Sequence, residues 1–427
     1  MAGSFGRTAA FAGSLLLAAC ATAPRPGLPA IVAGDPGPEL AGVATVVVDR
    51  RGEVAAEAAG RALIDPTEPG RERPMGVDAP ARIASISKLV TAIGALRLVE
   101  QGVLDLDRDV SDYLGWRLRN PAFPDRPITL RLLLSHRSTL LDDGGYFFPL
   151  GATLRESIGD KSWHRANPPG GFFNYTNLNF GVIATAMERA TGERFDRLMQ
   201  RLVMEPLKVD ACYNWSGCSN AAASRAAVLY RKSVDEEGWT PSPDWVPQVD
   251  DLRGRPPACL VRLPSPGARC DLETYRPGDN GTLFSPQGGL RISARDLGRV
   301  ARLLLNEGEI DGVRLLRPET VRAMLTPHWR WGEAPAGETY GGLMRCYGLS
   351  VQCTIGGGDT PLDRPLRWFG HMGDAYGLWS GLWIDPAAGR GYVYYVTGTA
   401  ENPAKHPGRR SKFHAFEEAI LERVAGE

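Results

Sequence analysis

The chain has 427 residues, 43% hydrophobic and 23% charged, and its 49 Lys and Arg balance 49 Asp and Glu to a formal net charge of zero. Those proportions exclude a disordered chain, and no basic excess or dense Lys/Arg stripe points to nucleic acid. The length allows a large core, as one unit or two closely packed subdomains, and 50 Gly with 33 Pro imply many loops and turns.

The N-terminus reads as an address. Arg7 precedes a short apolar run at 11–19, too short to span a bilayer stably, which ends in Leu17-Ala18-Ala19-Cys20. That ending resembles a bacterial lipobox, in which the cysteine thiol is acylated and becomes the new N-terminus. The competing reading, a plain secretory signal cut after Ala23, is disfavoured by Pro24. Residues 1–20 are therefore expected to be a lipoprotein signal and residues 21–41 a Pro/Gly-rich tether. Residues 42–427 then form the folded domain, on the periplasmic side of a bacterial envelope and anchored by lipid on Cys20.

Six cysteines remain, in three close pairs: Cys212 with Cys218, Cys259 with Cys270, and Cys346 with Cys353. An exported compartment favours disulfides, and local pairing is the simplest connectivity; buried free thiols are the alternative. No tight CxxC or HExxH spacing points to a metal.

In chain order, residues 43–48 and 53–59 read as a hairpin around Asp49-Arg50-Arg51-Gly52. Residues 85–101 read as a helix, because Leu89, Ala92, Ile93, Leu96 and Val99 recur at helical spacing and Gly102 ends it. Helical faces follow at 177–190 and 194–203. Residues 204–286 hold four cysteines, many prolines and no sustained period. They read as a disulfide-stapled excursion that forms part of a substrate wall. Residues 293–306 are again helical. Three strands follow at 366–372, 378–384 and 391–396, and Ser411 can cap a last helix striped by Phe413, Phe416, Ile420 and Val424. The expected class is α/β of the α+β type. A central antiparallel sheet, built from both ends of the chain, is flanked by helices and carries an inserted, mostly helical subdomain.

Three motifs carry chemistry. Ser85-Ile86-Ser87-Lys88 is an SxxK element, which at the start of a helix puts serine and lysine on one face, one turn apart. A lysine kept neutral by burial can take the serine proton. Alone this motif arises easily by chance. Tyr175-Thr176-Asn177 lies in PPGGFFNYTNLNFGVIATAMERATG (168–192), and His371-Met372-Gly373 in RWFGHMGDAYGLWSGLWIDP (367–386). The ordinary readings are a satisfied core tyrosine and a strand histidine.

Together the three motifs resemble those of the serine β-lactamase and penicillin-binding-protein family, which includes class C β-lactamases, D-alanyl-D-alanine carboxypeptidases and related esterases. Stretches 81–114, 128–140 and 285–305 resemble that family as well. The resemblance runs from about residue 42 to the C-terminus, the excursion excepted. It implies a serine hydrolase working through an acyl-enzyme, with Ser85 as nucleophile and Lys88 and Tyr175 as proton carriers. Asn177 would polarise the substrate, His371 on its strand would flank the cleft and help bind substrate, and the backbone N–H groups of Ser85 and Asp374, beside Gly373, would form the oxyanion hole. Each such donor is typically worth about 3 kcal/mol of barrier. No cofactor is implied, and the partners are a small ester, amide or peptide substrate and a membrane.

The family's KTG form offers a lysine and a threonine to a substrate carboxylate. Here His371 and Met372 offer neither, and the Asp374 side chain would repel an anion. Efficient β-lactamase activity is therefore not expected. His136, flanked by Ser135 and Ser138, is read as structural, since a triad is recognised by geometry and not by neighbours in sequence. The alternative function is a catalytically inactive envelope binding protein of the same fold, against which the intact Ser85, Lys88 and Tyr175 argue.

Overall fold

A computed structural model describes residues 25–235 and 238–426, together with Met1 and Gly3; Cys20 and the rest of the lipobox lie outside the described residues. The expected tether is corrected over its second half. Residues Leu28–Val32 form a short helix, α1, started by a proline in its first turn. Leu28, Ile31 and Leu40 are buried beneath the main sheet. The glycines of this stretch serve turns: Gly34 and Gly37 have φ of +98° and +104°. Composition alone could not separate such turns from slack chain.

The β-branched run becomes β1 (Gly42–Asp49), buried along nearly its whole length. The Asp49 carboxylate accepts the Arg51 and Gly52 N–H groups at 2.7 and 2.9 Å, and this Asx turn reverses the chain into β2 (Glu53–Leu63). Next come α2 (Ile86–Glu100), α3 (Leu178–Thr191) and α4 (Ala294–Leu305). The last third supplies β3 (Phe369–Ala375), β4 (Leu378–Asp385) and β5 (Arg390–Val396). The final helix, α5 (Ala415–Ala425), starts later than expected. The Glu417 carboxylate caps its start by accepting the His414 N–H at 3.1 Å, while Ser411 bonds the Glu418 carboxylate instead.

β1 pairs antiparallel with β5 on one side and β2 on the other, with Val43 opposite Val396 and Ala59. The two ends of the chain thus meet in a nine-stranded antiparallel sheet. α4 packs on one face, against Val46, Val48 and Val393 in the main core. α1 and α5 pack on the other, over Val43, Tyr394 and Val396. The expected fold class matches this arrangement, with the helical subdomain lying between β2 and α4.

The 204–286 stretch is less irregular than its sequence suggests. Leu229–Ser233 pairs antiparallel with Pro241–Val249 and parallel with Gly398–Thr399. Three prolines and two register shifts in the pair erase the alternation that would have revealed it. All three cysteine pairs are disulfides, with Cα–Cα separations of 5.3, 5.7 and 4.9 Å in chain order.

Candidate active site

Ser85 is the residue before the first turn of α2, and Ala84, at φ +47°, turns the chain so that the hydroxyl faces outward. Such a backbone conformation is uncommon for a residue with a Cβ and marks strain held at a site. One turn further, Lys88 is completely buried. Its Nζ donates to Ser85 Oγ at 2.9 Å, Asn177 Oδ1 at 2.7 Å and the Gln287 carbonyl at 3.0 Å. Those three acceptors use all three ammonium protons. Burial pushes the lysine down to about 7, and the negative charge of Asp142 pulls the other way. At neutral pH a large share of Lys88 is therefore neutral and can accept a proton.

Tyr175 closes the triangle. Lys88 Nζ lies 4.8 Å from the centre of its ring. The phenol oxygen is buried without a well-formed hydrogen bond, and Ser85 is the hydroxyl close enough to bear on its ionisation. Burial holds the phenol well above its usual range. Tyr175 is thus a protonated donor in the resting site and not a standing phenolate.

Asn177 precedes α3, and its amide is oriented by a residue the sequence did not single out. The Asp142 carboxylate accepts the Asn177 backbone N–H at 3.0 Å, its Nδ2 at 2.9 Å and the Leu178 N–H at 2.9 Å. This caps α3 and turns Asn177 Oδ1 toward Lys88. His136 stacks at 4.4 Å on the Tyr175 ring. Its Nδ1 accepts the Thr176 N–H at 3.0 Å and contacts Asn179, not Ser85, so its role is support.

β3 forms the opposite wall. Gly373 is required by close approach: a Cβ there would lie 2.4 Å from both the Ile83 carbonyl and Ser380 Oγ, and 3.2 Å from the Ser85 nitrogen. Its smallness lets β3 lie against the nucleophile turn, which brings the backbone of Ser85 and the 373–374 segment together. Pairing with the preceding strand stops at Gly370, and Asp374 opens onto solvent at the cleft mouth. Surrounding protein raises the Asp374 carboxyl to about 6, and Arg231 opposes the shift. Arg231 belongs to the excursion, so that segment does send a charge toward the cleft. His371 does not flank the cleft as expected. It is fully buried behind Tyr175, bonded through Nε2 to the Tyr347 hydroxyl at 3.0 Å.

The cavity over Ser85 and Tyr175 has a volume of about 120 Å³. Met344, Met372 and Trp379 make it mostly apolar, with Tyr340, Lys412 and His414 on its walls. None of its lining comes from 204–286, which corrects the expected substrate wall. The wall is built by 340–344 and by the segment before α5. Nothing local in those stretches signals the role, because only the fold brings them to Ser85.

A family model described as Beta-lactamase matches residues 31–415. The chain belongs to the beta-lactamase family. It is 30% identical over 151 residues to the D-alanyl-D-alanine-carboxypeptidase/endopeptidase AmpH of Escherichia coli, covering 33% of this chain and 38% of that one. It is 32% identical over 209 residues to Esterase EstB of Burkholderia gladioli, covering 45% and 51%. The match thus spans about half or less of these curated relatives. The D-amino acid amidase of Ochrobactrum anthropi SV3, solved with L-phenylalanine, shares the fold at a TM-score of 0.61 and 17% identity, over 93% of this chain and 97% of that one.

Proposed function

We propose that this protein is a serine hydrolase that cleaves neutral esters, amides or peptides through an acyl-enzyme and is not an efficient β-lactamase. The observation that carries this reading is the 2.9 Å contact between Ser85 Oγ and a Lys88 that burial brings to about 7. Ser85 Oγ bonds to the substrate carbonyl carbon as its proton passes to Lys88 Nζ. The carbonyl π electrons move onto oxygen, which accepts from the Ser85 and Asp374 N–H groups. Tyr175 gives its proton to the departing oxygen or nitrogen as that bond breaks, and Lys88 reprotonates Tyr175. Water then attacks the acyl-enzyme by the same proton path in reverse. Positioned acid–base groups contribute roughly 10²–10⁴-fold. The apolar cavity and the carboxylate of Asp374 favour uncharged, apolar groups near the reacting carbon.

The test is covalent labelling by a fluorophosphonate probe together with a panel of short p-nitrophenyl esters, wild type beside Ser85→Ala. Labelling and turnover are expected, and both vanish in the variant. A folded wild type that takes no label overturns the hydrolase reading in favour of the binding protein. Penicillin hydrolysis near a kcat/KM of about 10⁵ M⁻¹s⁻¹ would overturn the specificity half. Export and lipid attachment at Cys20 belong to the same proposal, on the strength of the Leu17-Ala18-Ala19-Cys20 sequence. Palmitate incorporation that Cys20→Ala abolishes is the expected result there, and none in the wild type sinks it.

A further inference from the structure

Tyr175 has an unusual set of neighbours for a proton-carrying phenol. His136 lies 4.4 Å away ring to ring, His371 6.0 Å and Tyr347 6.4 Å. Both imidazoles have hydrogen bonds that fix where their protons sit. His371 Nδ1 is 2.5 Å from the carbonyl oxygen of Met372. A carbonyl can only accept, so Nδ1 carries the hydrogen and Nε2 keeps its lone pair. The Tyr347 hydroxyl, 3.0 Å from Nε2, is then the donor to it. His136 is held in the opposite tautomer, since the Thr176 N–H donates to its Nδ1 and leaves the hydrogen on Nε2.

Tyr347 is completely buried in the short strand Cys346–Tyr347, next to the strand Gln352–Cys353. The Cys346–Cys353 disulfide closes this hairpin. The Gln352 side chain accepts the Met372 N–H at 3.1 Å, which anchors the hairpin to β3 beside the imidazole. The Tyr347 ring also stands edge-on to His136 at 5.0 Å. One residue thus touches both imidazoles and the face of the catalytic phenol.

We propose that Tyr347 is a positioning residue: by donating to His371 Nε2, opposite the Met372 carbonyl that holds Nδ1–H, it fixes that imidazole behind Tyr175 and so keeps the phenol aimed at Ser85. This rests on the hydrolase reading for its catalytic half. The charged and titratable groups facing His371 and Tyr175 are Lys88 from α2, Asp142 from the loop that caps α3, His136, Tyr347, Tyr146 and Tyr340 from the cleft mouth, and Asp374, Lys412 and His414 across the cavity. Lys88 is the buried cation among them. A second cation in place of His371 would favour the phenolate of Tyr175 and the neutral form of Lys88. A neutral imidazole separates the two roles, with Lys88 as base and Tyr175 as acid.

The test reads His371 directly and then its effect. Nitrogen-15 NMR of histidine-labelled full-length protein, with His371 assigned by the resonances lost in His371→Gln, reports the tautomer whether or not the protein turns over an ester. The expected wild-type spectrum is the neutral Nδ1–H form from pH 5 to 9. Tyr347→Phe should leave the Nδ1–H tautomer in place but shift the Nε2 resonance as that lone pair loses its donor, and lower kcat on p-nitrophenyl esters by about 10- to 100-fold with KM nearly unchanged, the size of a small misplacement. His371→Lys should move the acid inflection of kcat/KM downward and bring the alkaline limb inward. A wild-type Nε2–H tautomer, or Tyr347→Phe with wild-type kcat in an active enzyme, overturns the proposal. An Nδ1–H tautomer whose Nε2 resonance shifts in Tyr347→Phe, in a protein that takes no fluorophosphonate label, upholds the hydrogen-bond assignment and removes the hydrolase reading alone.

Discussion

The two walls of the cleft are built on opposite principles. On the helix side, Lys88, Asn177 and Asp142 saturate one another with hydrogen bonds between 2.7 and 3.0 Å, and Lys88 brings that network to Ser85. On the strand side, β3 offers a buried neutral histidine, a methionine, a glycine that serves only to bring backbones together, and a carboxylate open to solvent. The helix side holds the groups that move protons. The strand side shapes what may approach them. A change on the first wall should cost rate on every substrate, and a change on the second should reorder substrates.

The largest effect should come from Lys88→Met. It removes the base and leaves Asn177 Oδ1 and the Gln287 carbonyl without their donor. A loss in kcat of about 10²–10⁴-fold is expected on every ester tested, with fluorophosphonate labelling slowed in proportion. Wild-type labelling in Lys88→Met would show that Tyr175 is the base and would invert the assignment of roles.

The helix wall was the more legible of the two in the sequence, and the reason is locality. Ser85 and Lys88 announce themselves because a helix start turns a three-residue spacing into shared geometry. Val43 to Val48 and the three C-terminal strands showed their period because each has neighbours on both sides. Asp142 could not be found that way, since its importance depends on the N-terminus of α3 arriving beside it. Tyr347, Met344 and Lys412 reach the site only through sheet closure. The strand Pro241–Val249 was hidden by its own prolines, and α1 by a composition that suits turns as well as tethers. His371 was placed on the right strand with the wrong role, because motif position says nothing of burial.

Asp142→Asn should have an intermediate effect and can be read on the pH axis. The carboxylate raises the Lys88 pKa against the dominant effect of burial. Removing its charge makes the ammonium form less favourable, so the Lys88 pKa falls. The inflection below which kcat/KM drops should therefore move from about 7 to a lower pH. The amide can replace one of the carboxylate's accepting oxygens but not both, so Asn177 is held less firmly. A loss in kcat at the plateau of about tenfold follows. An inflection that moves upward would mean that Asp142 acts on Lys88 through something other than its charge.

The smallest and most selective effect belongs to Asp374→Asn. The surrounding protein pushes its carboxyl up to about 6 although the side chain reaches solvent, so above that pH it presents a negative charge at the cleft mouth. An anionic substrate group approaching it meets repulsion of roughly 1 kcal/mol at partial exposure, about a fivefold penalty in kcat/KM. The amide removes that repulsion, which favours anions. The ratio of kcat/KM for a carboxylate-bearing ester over its neutral counterpart should rise about 3- to 10-fold at pH 8. At pH 5 the wild-type carboxyl is largely protonated, and the two proteins should then show nearly the same ratio. A shift in the ratio of equal size at both pH values would mean that the side chain acts by shape and not by charge. The strand wall would then select substrates by packing alone.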